Sequence, residues 1–340
     1  MVEPETNSIE AQLREAIKRI HIDLPDQCAA VKRAHALVYR SPLKPAELLV
    51  MESDPMLGKT RVLDLISGDI RSAYAPRIEG WTCRAECESV TDGSTLGLLL
   101  CRALDAPAIG LGNMPRLGQY ICTRIDKHKR KPVLLALDNA HLLNEEALEI
   151  LAAIIASGVV PLILSGRNGT STVARRLIDM VGQVMEIVKL SPLPYARGAD
   201  LGQIRDFLLI IQGDLSPILN QLGISMTLAT DDWAKRVWGG TWGSHGKIIA
   251  LVRETLITIV RSHTQQRRNS RYTIKCEDFA EAWRLQFAQE SPLKFNPFKR
   301  ADAPTLGEIE DARKELEENR KRKKLRLPKS PKGKGALIWR

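Results

Sequence analysis

The sequence predicts an α/β fold: a parallel sheet covered on both faces, followed by a small helical domain and a basic tail. Three observations carry this expectation. Short apolar runs recur at residues 46–51 (AELLVM), 133–137 and 159–164, the texture of strands buried on both sides in a parallel sheet. Segments with helical periodicity fall between them, at residues 60–67, 94–104, 115–128 and 144–156, and strands that alternate with helices are the pattern of such a sheet. After Leu190 the texture changes at SPLPYARG, and residues 201–287 show helical periodicity with no convincing strand.

The elements before the first strand are two helices. Ile9, Leu13, Ile17 and Ile20 recur at helical spacing, Pro25 interrupts, and Ala30, Val31, Ala34 and Val38 resume the period. The expected organisation is residues 1–45 as N-terminal helices leading into the core, 46–192 as the α/β core, 193–290 as a helical lid and 291–340 as a flexible tail. A chain of 340 residues with 44% hydrophobic content is long enough for a main domain and an accessory one. The six cysteines are scattered without zinc-knuckle or disulfide-framework spacing, as expected of reduced thiols in a cytoplasmic protein. No apolar run approaches the ~18 residues a membrane span needs. The N-terminal MVEPETNSIEAQL lacks the basic-then-apolar order of a signal peptide, so a soluble, non-secreted protein with no membrane partner is expected.

The net charge of +10 is uneven, because residues 299–340 hold 14 Lys/Arg against 7 Asp/Glu. From Arg320 to Arg340 there are ten Lys/Arg and no acid. Clustered cations gain affinity for a polyanion by releasing condensed counterions, so nucleic acid is the partner this balance suggests. A solubilising tail is the plainer alternative.

A candidate phosphate site lies at Ser53-Asp54-Pro55-Met56-Leu57-Gly58-Lys59-Thr60, between an expected strand and an expected helix. Glycine lets backbone N–H groups approach phosphate, Lys59 would reach the terminal phosphates, and the Thr60 hydroxyl would hold Mg²⁺. The start of the following helix adds free N–H groups and a favourable dipole. Ser53 stands where the pattern has its first glycine, and a β-carbon there is expected to reshape the loop. The second element is VLLALD, residues 133–138, an apolar strand that ends in an acid and is placed to deliver Asp138 to Mg²⁺. Where a proton-accepting Glu commonly follows, this chain has Asn139. An amide orients water without taking its proton, so hydrolysis is expected to be slow or to need another acid. Glu145 and Glu146 are the nearest in sequence, with Glu52 and Asp54 as weaker candidates; Asn139 also fits a plain strand-end turn.

With these motifs in place, the order of elements resembles the AAA+ transposition-regulator ATPases, the group containing TnsC, TniB and the phage Mu B protein. The two leading helices, SDPMLGKT, LALDNAHLL, PLILSGRNG and WGSHGKIIALVRE carry the resemblance, over roughly residues 10–290. It implies a P-loop AAA+ core with a helical lid. Lys59 would bind phosphate, Thr60 and Asp138 the Mg²⁺, and Asn139 would stand at the catalytic-acid position. Ser165 or Arg167 would be the first sensor, Lys247 the lid cation, and Arg175 and Arg176 the finger that reaches a neighbour's nucleotide. Ser53, Asp54 and Gly58 complete the implied ATP site.

The resemblance further implies a protein that assembles head to tail on double-stranded DNA when ATP is bound, as a ring or filament, and recruits or activates a transposase. Arg102 and Arg116, with Lys129 and Arg130 in the cluster KHKRK, are the expected DNA contacts, and the basic loop QQRRNSR (residues 265–271) is a second patch. Leu337, Ile338 and Trp339 form a short apolar anchor that a transposase or target-selection partner could bury. Two other readings remain open: an AAA+ ATPase that loads another DNA-processing factor, and a nucleotide-insensitive DNA-binding scaffold.

Overall fold

The computed structural model describes residues 4–20, 24–40, 47–74, 82–107, 114–128, 133–182, 185–194, 202–265, 271–289, 291 and 293–326. The chain divides into two compact units, one formed by Ile22–Pro192 and the other by Met1–His21 with Leu193–Arg340.

In the first unit, β1 (Leu48–Glu52), β2 (Thr82–Glu86), β3 (Leu134–Asp138), β4 (Leu162–Gly166) and β5 (Met185–Lys189) make one sheet in the order β2-β3-β4-β1-β5. All of its pairings are parallel. The three central strands, β1, β3 and β4, are buried at every position, because alternate residues feed two different cores. On one face Leu48, Val50, Leu135, Leu137, Leu162 and Leu164 join the apolar sides of α4 (Gly93–Ala103), α5 (Met114–Lys127), α6 (Glu145–Ser157) and α7 (Thr170–Val181). On the other, Leu49, Met51, Ala136 and Ile163 meet α2 (Pro25–Arg40) and α3 (Lys59–Tyr74) through Ala30, Ala34, Leu37, Val62, Leu63 and Ile66.

Of the edge strands, β2 buries only alternate residues and β5 only Val188, and the sequence reading does not anticipate either. TCRAE and MEIVK have no continuous apolar run, and each is a strand only because a neighbour pairs with it. Helix ends in this unit follow local chemistry. The Asp92 carboxylate accepts from Thr95 N–H at 2.7 Å at the start of α4, and the Asn144 side chain accepts from Ala147 N–H at 3.0 Å at the start of α6. Gly158 and Gly182 take left-handed conformations at the ends of α6 and α7.

The second unit is helical: α1 (Pro4–Arg19), α8 (Gly202–Asn220), α9 (Asp231–Thr241), α10 (His245–Gln265), α11 (Cys276–Gln286) and α12 (Leu306–Arg326). It also contains a two-residue parallel ladder, β6 (Ile224–Ser225) with β7 (Tyr272–Thr273), where no strand was expected. Such a ladder is too short to leave a periodic signature.

The two leading helices part company: α1 lies with the helical unit, where Leu13 and Ile17 are buried, and α2 lies on the sheet. Residues 291–340 are not uniformly a tail. Leu293, Phe298 and Ile309 are buried, and Phe298 stacks with Trp233 and Phe279 at ring-centre distances of 6.3 and 5.7 Å. A few aromatic and aliphatic anchors among prolines and lysines are enough to hold this stretch, a packing that composition alone hides. Trp339 and the rest of the expected partner-binding anchor lie outside the described residues.

All six cysteines are free thiols, and burial pushes Cys83 up to about 12. Among the described residues no helix is long and apolar enough to cross a membrane.

Candidate nucleotide site

The site lies where the sheet's carboxyl ends meet the start of α3. β1 delivers the chain to Ser53, and the loop reaches Lys59 through left-handed conformations at Met56 (φ 63°) and Gly58 (φ 81°). Gly58 takes that conformation at no steric cost, whereas Met56 is held there by the loop. Ser53 is not among the left-handed residues, so the glycine of the usual pattern is not required by the backbone here. Its hydroxyl instead has a partner: Lys59 Nζ donates to Ser53 Oγ at 2.9 Å, to Ser53 O at 3.1 Å and to Asp54 O at 2.9 Å. An ammonium has three donors, and the loop takes all three. Burial lowers the Lys59 pKa, while the nearby Asp138 and Asp54 oppose the shift.

Asp138, at the end of β3, is the centre of the hydrogen-bonding network. Its side chain is 3% exposed. Oδ2 accepts from the Thr60 hydroxyl at 2.9 Å and faces Arg84 Nη2 at 3.4 Å; Oδ1 accepts from the Ser165 hydroxyl at 3.0 Å and from Asn139 N–H at 2.9 Å. Ser165 is presented by β4, the strand beside β3. Lys59, Thr60, Asp138, Asn139 and Ser165, distant in sequence, are thus brought into one cluster.

Hard oxygen donors of this kind suit Mg²⁺. The Thr60 hydroxyl donates a hydrogen bond to Asp138 and keeps its lone pairs, so a metal could sit on the same oxygen. Among the described residues there is no group of three or more His, Cys, Asp or Glu able to hold a metal. A divalent ion held by Thr60 and Asp138 would take its remaining ligands from phosphate oxygens and water.

Asn139 is left-handed (φ 55°), a conformation asparagine tolerates better than most residues. The strand-end turn reading and the site reading therefore apply to the same residue. Its side-chain amide donates to Glu86 Oε1 at 3.3 Å. Asp54 is exposed and accepts from Asn168 Nδ2 at 2.7 Å, the buried Glu52 carboxylate accepts from Gly169 N–H at the start of α7, and exposed Glu145 pairs with Arg176 at 2.6 Å. Arg167 is exposed, and its N–H donates to His141 Nδ1 at 3.3 Å. Burial and the Arg167 and Lys59 charges hold the His141 pKa below its usual value, so at neutral pH the imidazole is the acceptor that this bond needs.

Gly166 follows Ser165 in close quarters. A β-carbon at this position would fall 2.2 Å from Thr170 Oγ1 and 3.0 Å from His141 Nδ1. Gly166→Ala is expected to push the Thr170 hydroxyl off its 2.7 Å bond to Arg167 O and to cost about 1–3 kcal/mol. Urea denaturation of the variant checks this; a loss below about 0.5 kcal/mol would show that the turn yields freely.

The other expected residues are dispersed. Arg175 and Arg176 are exposed on α7, Arg102 lies in the last turn of α4, and Arg116 is exposed near the start of α5. Lys129 and Arg130 lie outside the described residues, as does most of the basic loop at 265–271. Lys247 is half-buried on α10 in the helical unit, with its ammonium 5.7 Å from the Phe287 ring centre.

The sequence reading missed Arg84, Glu86, His141 and Asn168. Arg84 and Glu86 were missed because β2 was, although the alternation in TCRAE was a signal for a half-buried strand. His141 and Asn168 are placed only by the packing of two turns.

A family model for an AAA domain matches residues 45–184. No curated protein matches the chain. Among solved structures, the crystal structure of Cdc6p from Pyrobaculum aerophilum aligns with a TM-score of 0.56 and 15% identity, over 88% of this chain and 82% of that one. The ORC1 protein of Aeropyrum pernix, solved in complex with DNA, aligns with a TM-score of 0.53 and 15% identity, over 79% of this chain and 68% of that one. Identity this low speaks to the fold alone. Residues 45–184 match an AAA domain, and the chain carries the α/β P-loop AAA+ core also found in Cdc6p and ORC1.

Proposed function

We propose that this chain is an ATP-dependent double-stranded DNA-binding regulator of transposition. In this reading it binds DNA with little regard to sequence, assembles head to tail on its target as a ring or filament, and recruits or activates a transposase. The observation that carries it is the Asp138 cluster. Lys59, Thr60, Asp138 and Ser165 are assembled for phosphate and Mg²⁺, while Asn139 occupies the place of a proton acceptor. Such a site is better suited to sensing which nucleotide is bound than to fast turnover.

Lys59 would exchange at least one loop acceptor for a phosphate oxygen, so ATP binding also reshapes the loop. Thr60 and Asp138 would hold Mg²⁺, which supplies charge neutralisation across the terminal phosphates. Ser165 and the Asn139 N–H keep the Asp138 carboxylate aimed at that position. Ser53, Asp54 and Gly58 would shape the phosphate cradle. As the family resemblance implies, Lys247 would serve as the lid cation, and Arg175 or Arg176 would reach the nucleotide of a neighbouring copy, where Arg neutralises charge developing on the γ-phosphate. Open head-to-tail contacts of that kind generate rings or filaments.

DNA as partner is supported by the basic balance of the C-terminal stretch and by the fold shared with an ORC1 protein solved with DNA. Arg102, Arg116, Lys129 and Arg130 are the proposed contacts. Transposition is supported by the motif order over residues 10–290. A second reading, an AAA+ ATPase that loads another DNA-processing factor, shares the same nucleotide site.

The test is fluorescence-anisotropy binding to a random-sequence duplex with Mg²⁺ and ATP, a non-hydrolysable analogue, ADP or no nucleotide. Binding at least tenfold tighter with ATP or the analogue than with ADP or none is expected. Equal binding in all four would overturn the nucleotide-gated reading and leave a basic scaffold. Rapid hydrolysis without any transposase would favour the loader.

A further inference from the structure

The acids nominated from sequence to replace the missing catalytic glutamate have other partners or places. Glu145 is held by Arg176, Glu52 by the start of α7, and Asp54 by Asn168; Glu146 is exposed in the first turn of α6. A carboxylate on β2 is better placed. Glu86 is the register partner of Asp138 in the parallel ladder, one strand spacing away, or about 4.8 Å. Its Oε1 accepts from Asn139 Nδ2 at 3.3 Å, and its side chain is open to solvent.

A second observation shows that this face of β2 belongs to the site. Side chains two apart on a strand share a face, and Arg84, two residues before Glu86, reaches Asp138 Oδ2 at 3.4 Å and Asp64 of α3 at 2.6 Å. The carboxyl end of β2 therefore meets both the proposed metal-binding acid and the helix that follows the phosphate loop.

We propose that Glu86 supplies the carboxylate that Asn139 lacks, so that the proton acceptor for ATP hydrolysis sits on the strand next to the usual one. This rests on the ATP-site reading above. Because Asn139 spends an N–H on Glu86, its amide oxygen is directed elsewhere and is able to accept from a water. The pair thus presents two acceptors to one water molecule. The water oxygen forms a bond to the γ-phosphorus, and the bond between that phosphorus and the bridging oxygen to the β-phosphate breaks with its electron pair going to ADP. The proton lost by the water goes to Glu86 and from there to solvent. The products are ADP and phosphate. An acceptor reached through an amide on the neighbouring strand is a displaced version of a direct one, which fits slow turnover.

The test uses the full chain with Mg²⁺, ATP and duplex DNA, comparing wild type, Glu86→Gln and the reciprocal exchange Glu86→Asn with Asn139→Glu. ATP affinity, the ATP-to-ADP ratio of nucleotide that stays bound after desalting, and phosphate release are read separately. Glu86→Gln keeps size and hydrogen bonding but cannot take a proton. It is expected to bind ATP within about threefold of wild type, to retain it as ATP, and to lose hydrolysis by roughly 100-fold. The reciprocal exchange is expected to restore hydrolysis to wild-type level or above. Wild-type hydrolysis by Glu86→Gln overturns the proposal, as does a wild type that binds ATP without hydrolysing it. A Glu86→Gln whose slower turnover is matched by an equal loss of ATP affinity makes Glu86 a site-shaping residue and overturns it too. A wild type that binds no ATP overturns the ATP-site reading itself, and with it this assignment.

Discussion

Lys59→Ala is expected to lower ATP affinity by about 10- to 150-fold, equivalent to the roughly 1.5–3 kcal/mol of a hydrogen bond to a charged group, and to abolish ATP-dependent binding to DNA. The ammonium is buried and shares its three donors among Ser53 O, Ser53 Oγ and Asp54 O. A phosphate oxygen that replaces one of these brings two opposite charges together in a site where water is scarce, and an unscreened pair is stronger than an exposed one. Alanine removes that attraction along with the tether that ties the loop together. The fold should survive, because α3 is held to the sheet by Val62, Leu63 and Ile66, all buried in the core between them. Titration with a fluorescent ATP analogue, alongside far-ultraviolet circular dichroism, separates lost binding from lost folding. An unchanged affinity in a folded variant would remove Lys59 from the site.

Arg236→Ala is expected to destabilise the helical unit by about 1.5–3 kcal/mol. The guanidinium is 3% exposed. It donates to Pro297 O and Arg300 O at 2.8 Å, to Ala301 O at 2.7 Å and to Asp232 Oδ2 at 2.7 Å. These bonds fasten residues 297–301 to α9, next to the aromatic group of Trp233, Phe279 and Phe298. Truncation strands the buried Pro297 carbonyl and removes the partner of the part-buried Arg300 and Ala301 carbonyls, and a buried unmade bond costs its desolvation. Lysine keeps the charge but loses the planar fork that serves several acceptors at once, so Arg236→Lys should fall between wild type and alanine. Urea denaturation with tryptophan fluorescence follows the loss, since Trp233, Trp238, Trp242 and Trp283 all lie in this unit. A change below about 1 kcal/mol would mean that the carbonyls find water instead.

The sequence was most legible where burial is two-sided. β1, β3 and β4 are continuous apolar runs because helices cover both of their faces, and their carboxyl ends carry the phosphate loop, Asp138 and Ser165. Lys59, Thr60 and Asp138 stand out for the same reason: Lys59 and Thr60 open the helix one loop after β1, and Asp138 ends β3, both strands that composition reveals. Helical periodicity alone gives α4, α5 and α6 within a residue or two.

Edge strands carry a weaker signature, because the residues that face outward need no apolar side chain and a continuous run gives way to alternation at best. Without β2, nothing in the sequence brings Arg84 or Glu86 to Asp138, and the acids nearest to Asn139 along the chain stand out instead. Glu145 is six residues from Asn139 along the chain, yet its partner is Arg176. Glu86 is 53 residues away and within hydrogen-bonding distance.

Sequence alone determined the α/β class, the phosphate loop, the acid at the end of β3 and the helical character of residues 201–287, because each depends on local periodicity or on a motif whose spacing is set by chemistry. Tertiary structure alone decided that α1 belongs with the helical unit, that residues 293–309 are packed against it, that Ser53 serves as an acceptor for Lys59, and that Glu86 stands beside Asn139. Each of these depends on which surfaces meet across long stretches of chain, and a meeting of surfaces leaves no period in the residues that make it.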